Sequence, residues 1–301
     1  MFWFKNAIIY RLTKQLDWST EKLQEVLQQC AYRPCDKSDV SKFGWTNPIH
    51  SSELLYHVAE NKILLVAQKE EKILPAYVVN NALNKRIEEF EKIQGRRLEK
   101  IEKLSLKDDV IAKLIQQAFS KYSHTALFID VEKGLIYVDA SSHKTAEDAL
   151  ALLRKTLGSL PVIPLAFANE PYLIMTTWLG DNPTWLTLLE EAEFSGMTES
   201  GLIKCKNQDL NSVEIETMLE FDKVITKLSL EWEDNLSFIL CKDGTLKRLK
   251  FADNVLDEND DILEEDITQR FDADFILMTS ILSELTEMLL NEFGGEKERD
   301  Q

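Results

Sequence analysis

Five cations, Lys85, Lys92, Arg96, Lys100 and Lys103, recur at intervals of seven, four, four and three residues. On a single helix turning about 100° per residue they fall within an arc of about 80°. Leu83, Ile87, Phe90, Leu98, Ile101 and Leu104 take the opposite side, an apolar stripe wide enough to dock on a core, and Glu88, Glu91, Glu99 and Glu102 form a third strip. Charges sorted in this way aim positive potential in one direction. The chemistry such a face performs is electrostatic capture of a polyanion. Glu88–Lys92, Glu89–Lys92 and Glu99–Lys103 are also ordinary helix-stabilising pairs, worth about 0.2–0.5 kcal/mol each, and a lysine-rich helix face is most often simply solvated.

The second half of the chain carries more cations. Lys204, Lys206 and Gln208 lie on or just after one predicted strand, Lys223 and Lys227 on its neighbour, and Lys247, Arg248 and Lys250 on a hairpin arm. Strand alternation sets Lys247 opposite to Arg248 and Lys250, and lysines on edge strands also guard against aggregation. Phe119, Lys121 and Tyr122 put two aromatics beside a cation, a combination that stacks on bases, anchors a partner or is buried in a core. Asp130 and Asp139, with Glu132 nearby, could meet across a hairpin and hold Mg²⁺ for nuclease chemistry. Both also stand at strand ends, where turns favour Asp. His50, His57, His124 and His143 lack metal-ligand neighbours, and Cys30, Cys35, Cys205 and Cys241 fit neither a zinc pattern nor a disulfide framework. None of the ten glycines forms a GxGxxG or Walker motif. The expectation is a protein without cofactor, metal or catalytic centre.

Composition sets the frame. The 301 residues carry a formal charge of −17, which by itself argues against a nucleic-acid binder. The charge is unevenly spread: Lys92 to Lys107 holds six basic and two acidic residues, whereas Ala252 to Gln301 holds three basic and sixteen acidic ones. A basic middle and an acidic end give the molecule a directed field. A hydrophobic fraction of 44% suits a globular protein. Apolar runs such as Ile63 to Ala67 and Phe275 to Met278 fall far short of the ~20 residues a membrane span needs, and the apolar start MFWFKNAIIYRL lacks a cleavage site and reads as a strand. A cytoplasmic protein that does not engage membranes is expected.

The elements that must position these residues follow from periodicity. Strands are predicted over Phe2–Leu12, Lys62–Gln68, Ala126–Asp130, Leu135–Asp139 and, at an edge, Leu160–Leu165. Ser19 opens one helix. The long charged helix follows Pro75, a further helix starts at Ser105 through a capping box with Asp108 and runs to about Phe119, and Ala146–Leu157 is closed by Gly158. The two charged helices would form a helical hairpin. Beyond Pro171 a second unit holds strands Leu202–Lys206 and Lys223–Trp232 around a helix at Ser212–Leu219. A hairpin Leu236–Cys241 and Thr245–Phe251 turns on Lys242-Asp243-Gly244, where Asp-Gly suits type I′. An acidic loop, Asp257–Asp266, precedes a terminal helix, Ile267–Phe293, with Phe271, Phe275, Leu282, Leu285 and Leu289 as its apolar face. The class is α+β, with a central domain at 1–75 and 120–170, a helical insertion at 76–119 and a second domain at 171–301.

Several segments in collinear order resemble the RdgC family of bacterial recombination-associated proteins: FWFKN (2–6), KEEKILP (69–75), SLKDDV (105–110), AFSKYS (118–123), ALLRKTLGSLPV (151–162), KNQDL (206–210), VITKLSLEW (224–232), DGTLKRLKF (243–251) and QRFDADFILMT (269–279). The resemblance implies a curved subunit, two of which close into a ring around double- or single-stranded DNA. Binding would have little sequence preference, in the nucleoid, opposing RecA and without catalysis. It places tip cations at Arg96 and Arg97, a tip aromatic at Phe119 and a polar pair at the opposite dimer interface at Asn207 and Gln208. Asn207 stands where the family can carry a second lysine, and Gln117 where an arginine can occur, so affinity should be lower or more salt-sensitive. The candidate DNA-binding set is therefore Lys85, Lys92, Arg96, Arg97, Lys100, Lys103, Lys121, Lys204, Lys206, Gln208, Lys223, Lys227, Arg248 and Lys250. The alternatives are a protein-interaction scaffold and a metal-dependent nuclease built on Asp130 and Asp139.

Overall fold

The computed structural model describes residues 3–16, 19–49, 52–196, 201–262 and 267–298. The chain opens with β1 (Asn6–Leu12), α1 (Thr20–Gln29), β2 (Ser41–Thr46), β3 (Tyr56–Ala59) and β4 (Lys62–Lys72). Helices α2 (Ala76–Gln94) and α3 (Lys100–Ile115) precede β5 (Ser120–Asp130), β6 (Leu135–Val138), α4 (His143–Leu157), β7 (Val162–Pro164) and α5 (Pro171–Thr177). The remainder is β8 (Leu186–Gly196), β9 (Leu202–Lys206), α6 (Val213–Glu220), β10 (Lys223–Trp232), β11 (Leu236–Cys241), β12 (Leu246–Phe251), α7 (Asp253–Asp257) and α8 (Ile267–Glu292). Ser105 starts no helix: it lies inside α3, whose capping box is built by Glu99 and Glu102 instead. Strands β2, β3 and β8 and helices α5 and α7 had no counterpart among the predicted elements.

The strands make one open antiparallel sheet in the order β2-β4-β5-β6-β1-β12-β11-β10-β8-β9, with β3 beside β4 and β7 beside β1. Strand β1 is the joint. Ile8 to Arg11 pair with β6, while Asn6 and Ala7 pair with Lys247 and Leu246 of β12. Alternation along β1 then serves both faces of the sheet. Ala7 and Ile9 point into a core closed by α8, through Phe271, Phe275, Met278, Leu282, Leu285 and Leu289. Ile8 and Tyr10 point into a second core under α1 and α4, through Leu23, Leu27, Leu150 and Leu153. The apolar face assigned to the terminal helix is buried throughout.

The two cores differ in extent. Residues of α5, α6, α7 and α8 all join the first, which runs beneath both halves of the sheet. Helices α1 and α4 cover the other face only over the first half of the sheet, β2, β4, β5, β6 and β1. Beyond β1 that face lies open, and Lys227, Ser229 and Glu231 of β10 alternate on it with the buried Leu228 and Leu230. Two local features shape it. The β11–β12 turn is a three-residue loop with Gly244 at φ 78, not the predicted type I′ turn, because Asp243 keeps a negative φ. At Arg248 (φ 52) β12 bulges, so that Ser237 pairs with Lys250 but Ile239 pairs with Lys247.

Candidate nucleic-acid interface

The bulge at Arg248 corrects the predicted alternation. One extra residue in β12 brings Lys247 to the same face as Lys250, and Lys247 and Arg248 line one cavity together. That cavity, of 340 Å³, is also lined by Asn6, Lys204, Lys206, Lys227, Glu191 and Glu193. It lies on the open sheet face and extends across β9, β8, β10 and β12. The glutamates hold the cations in place. Glu193 accepts from Lys227 Nζ at 3.0 Å and pairs with Lys204 at 3.2 Å, while Glu191 pairs with Arg248 at 2.9 Å and with Lys206 at 3.8 Å. Burial pushes the Glu193 carboxyl up, but the Lys227 and Lys204 ammonium groups outweigh it and hold the group below its ordinary value. Five cations thus surround two carboxylates.

The same face continues across β1 into the first half. Lys69 of β4 and Lys121 of β5 follow the alternation of Ala67 and Leu127, and with Lys155 of α4 they line a groove of 590 Å³ beside that helix. Lys121, Lys204, Lys206, Lys227, Arg248 and Lys250 therefore share one sheet face. Lys69 and Lys155 join them without having been singled out, and Lys247, expected on the opposite side, joins them through the bulge. Lys223 does not: the irregularity at Thr226 sets Lys223 on the alternation of the buried Ile225. Asp272, Glu284 and Glu287 belong to α8, which packs on the other face.

The five-cation arc is overturned. Gly95 adopts φ 67, caps α2 in the left-handed conformation and ends it, and α3 restarts at Lys100. Lys85 and Lys92 are on one helix, Lys100 and Lys103 on the other, and Arg96 and Arg97 on the connection. The predicted apolar stripe breaks too, since Ile101 is 77% exposed while Leu98 is buried. Ion pairing also departs from helical spacing. Arg96 forks onto Glu102 with contacts of 2.6 and 2.9 Å, holding that carboxyl down at about 2, and Lys103 lies 4.0 Å from Glu91. Among the described residues no ion pair engages Arg97, Lys100, Lys85 or Lys92.

Phe119 lies where α3 returns to the sheet, not at the far turn between the helices. Its carbonyl accepts from Ile73 N at 2.8 Å, and its ring is 85% exposed. Ile73, Tyr77 and Val40 are exposed near the same root, and the Val40 carbonyl accepts from Lys72 N. Beside this patch lies the buried Glu70, which was not singled out in the sequence. The Ser120 hydroxyl donates to it at 2.6 Å, the Tyr32 hydroxyl at 2.6 Å and Cys35 N at 2.8 Å. Ser120 first, then Tyr32 and Cys35, pull its carboxyl down to about 2. At the other end of the sheet, Asn207 sits exposed with φ 49, a conformation Asn tolerates better than Lys. Gln208 donates through Nε2 to Ser212 Oγ at 3.0 Å.

Sequence comparison decides the family. A family model described as "Putative exonuclease, RdgC" matches residues 2–296. The chain belongs to the RdgC family. A Recombination-associated protein RdgC from Pasteurella multocida is 61% identical over 301 residues, spanning 99% of this chain and all of the relative. Its namesake from Mannheimia succiniciproducens is 60% identical over the same span, and one from Haemophilus influenzae is 59% identical over 300 residues. Among the described residues of this RdgC-family chain, no helix is long and apolar enough to cross a membrane.

The nuclease pair suggested by the sequence does not assemble. Asp130 is opposite Leu135, whereas Asp139 N bonds the Ala126 carbonyl. Four residues of strand, about 13 Å, separate the two positions. Each carboxylate takes structural hydrogen bonds instead: Asp130 accepts from Lys133 N at 2.9 Å and from the Ser283 hydroxyl at 3.1 Å, and Asp139 accepts from Asn6 N at 2.9 Å and Lys5 N at 3.2 Å. Burial nonetheless raises the Asp139 pKa.

Proposed function

We propose that this RdgC-family protein binds DNA without sequence preference, through the sheet face that carries Lys121, Lys204, Lys206, Lys227, Arg248 and Lys250 and through the exposed cations between α2 and α3. The observation that carries the reading is the separation of charge by the sheet. Cations collect on the face that helices leave partly open, and the acidic C-terminal helix packs on the other. A polyanion approaching this acidic molecule meets attraction from one side and repulsion from the other. Phosphate contacts are indifferent to base sequence, so binding should show a linear fall of log affinity with log salt.

Two subunits form a ring in this proposal. The helical hairpin of α2 and α3 projects from each, and the exposed patch of Phe119, Ile73, Tyr77 and Val40 at its root contacts a second copy. Exposed apolar groups so close together favour a partner surface, and a two-fold contact is self-complementary. Asn207 and Gln208 serve the far interface. Opposition to RecA and residence in the nucleoid follow from the family resemblance and from blocking access to DNA. The role proposed is a non-catalytic one, supported by the separation of Asp130 and Asp139. Random-sequence duplex should be retained over a range of salt and left uncut in Mg²⁺ or Mn²⁺. Phe119→Ala should leave circular duplex faster than wild type does, with little change on linear duplex. Equal escape of wild type from both forms would sink the ring, and cleavage of either form would overturn the non-catalytic role.

A further inference from the structure

The cavity on the open face contains its own competitor. Glu191 and Glu193 are adjacent on the outer side of β8, one strand from the cations on β9 and β10, and the bulge at Arg248 delivers a fifth strand's guanidinium to Glu191. Strand alternation alone sets Glu193 across from both Lys204 and Lys227 and Glu191 across from Lys206. Each carboxylate therefore spans two cations at distances between 2.9 and 3.8 Å. A stability role alone would be served by one cation per carboxylate, because the pairs are partly solvent-exposed and individually weak. Two per carboxylate leaves an excess of positive charge that is held close but not fully compensated.

Building on the DNA-binding reading above, we propose that Glu191 and Glu193 act as an internal phosphate mimic, which occupies the cation cluster in the free protein and must be displaced or outcompeted by the DNA backbone. Neutralising a cation with a protein carboxylate has a thermodynamic consequence. A cation held by a protein carboxylate neutralises no phosphate and so releases no counterion from the DNA, and the nearby carboxylate repels the incoming phosphate. The cluster then contributes less to both the affinity and the salt dependence than its number of lysines and arginines implies. The device keeps binding weak enough to reverse, which suits a protein that grips DNA of any sequence.

The test uses the full chain with the single variants Glu191→Gln and Glu193→Gln, the double variant, and Glu284→Gln as a control. Glu284 is exposed on α8, on the opposite face, and its replacement removes the same charge. Fluorescence anisotropy with random-sequence duplex is read at several salt concentrations, with thermal unfolding to confirm the fold. For each subunit that engages the duplex, each cavity substitution should steepen the slope of log affinity against log salt by up to about 0.9, and tighten binding by up to about eightfold at 0.1 M salt. Glu284→Gln should change neither. Unchanged or weaker binding by the folded cavity variants would show that the glutamates organise the cations instead of competing for them. An equal gain in the Glu284 control would reduce the effect to net charge. Either outcome overturns the proposal while leaving DNA binding intact. Failure of wild-type protein to bind duplex at low salt removes the DNA-binding reading itself, and the proposal with it.

Discussion

The cations between α2 and α3 should not contribute equally to DNA binding, and the structure says which ones count. Both Nη groups of Arg96 are taken by Glu102, at 2.6 and 2.9 Å. A phosphate that reaches that guanidinium meets a cation whose charge is already compensated by a fork of two charge-assisted bonds, so it gains less there than at an unpaired cation. Arg97 and Lys100 have no such partner among the described residues. Replacing both by Gln should remove two phosphate contacts per subunit and flatten the salt slope by about 1.8 for each subunit that engages the duplex. Between about 50 and 200 mM salt, each engaged subunit of the variant should therefore lose about twelvefold less affinity than wild type does over the same range. The companion variant, Arg96→Gln with Glu102→Gln, deletes the internal pair and changes no net charge. Gln at position 102 can still complete the capping box that opens α3. Its slope should match wild type within error. Anisotropy titrations of one random duplex with all three proteins make the comparison. Equal slopes in the Arg97/Lys100 variant and wild type, or a comparable flattening in the pair deletion, would refute the argument that internal pairing decides which cations reach phosphate.

Two further outcomes follow from the packing. A Cβ at Gly44 would lie 2.6 Å from both Cα and N of Tyr32, so Gly44→Ala should destabilise by about 1–3 kcal/mol or more, read as a lower denaturant midpoint; an unchanged midpoint would mean the 30–32 segment yields freely. Glu70 has its folded pKa lowered from 4.5 to about 2, so its stabilising bonds are fully present above the unfolded value and are lost as pH falls toward about 2. The stability gap between wild type and Glu70→Gln should hold near neutral pH and close across that acid window, measured by denaturant unfolding at each pH, and a gap that widens on acidification would contradict this.

Much of the local structure was legible in the sequence because periodicity records which face of an element is buried. The apolar face of α8, the β5–β6 hairpin around Gly134 and the closure of α4 by Gly158 all follow from residue spacing. Gly95 was equally legible as a helix stop, and a uniform 100° rotation across it is what produced the false five-cation arc. The acidic end and the basic clusters were also set by composition alone.

What the sequence could not supply was which strand lies beside which. Strand β1 meets β12 across some 240 residues of chain, and nothing in local pattern encodes a pairing so remote. Only that pairing makes one sheet of the two halves and turns Lys121 and Lys204 toward a common face. The bulge at Arg248 is a similar case. A regular strand would have sent Lys247 away from Lys250, but fitting β12 against β11 while Leu246, Leu249 and Phe251 all stay buried requires one extra residue there. Whether a cation is free or already held depends on carboxylates from other strands, as with Glu191 and Glu193. Charge is a property of the sequence; its direction and its availability are set by tertiary structure, because Coulomb interactions act over distances that only the folded chain defines.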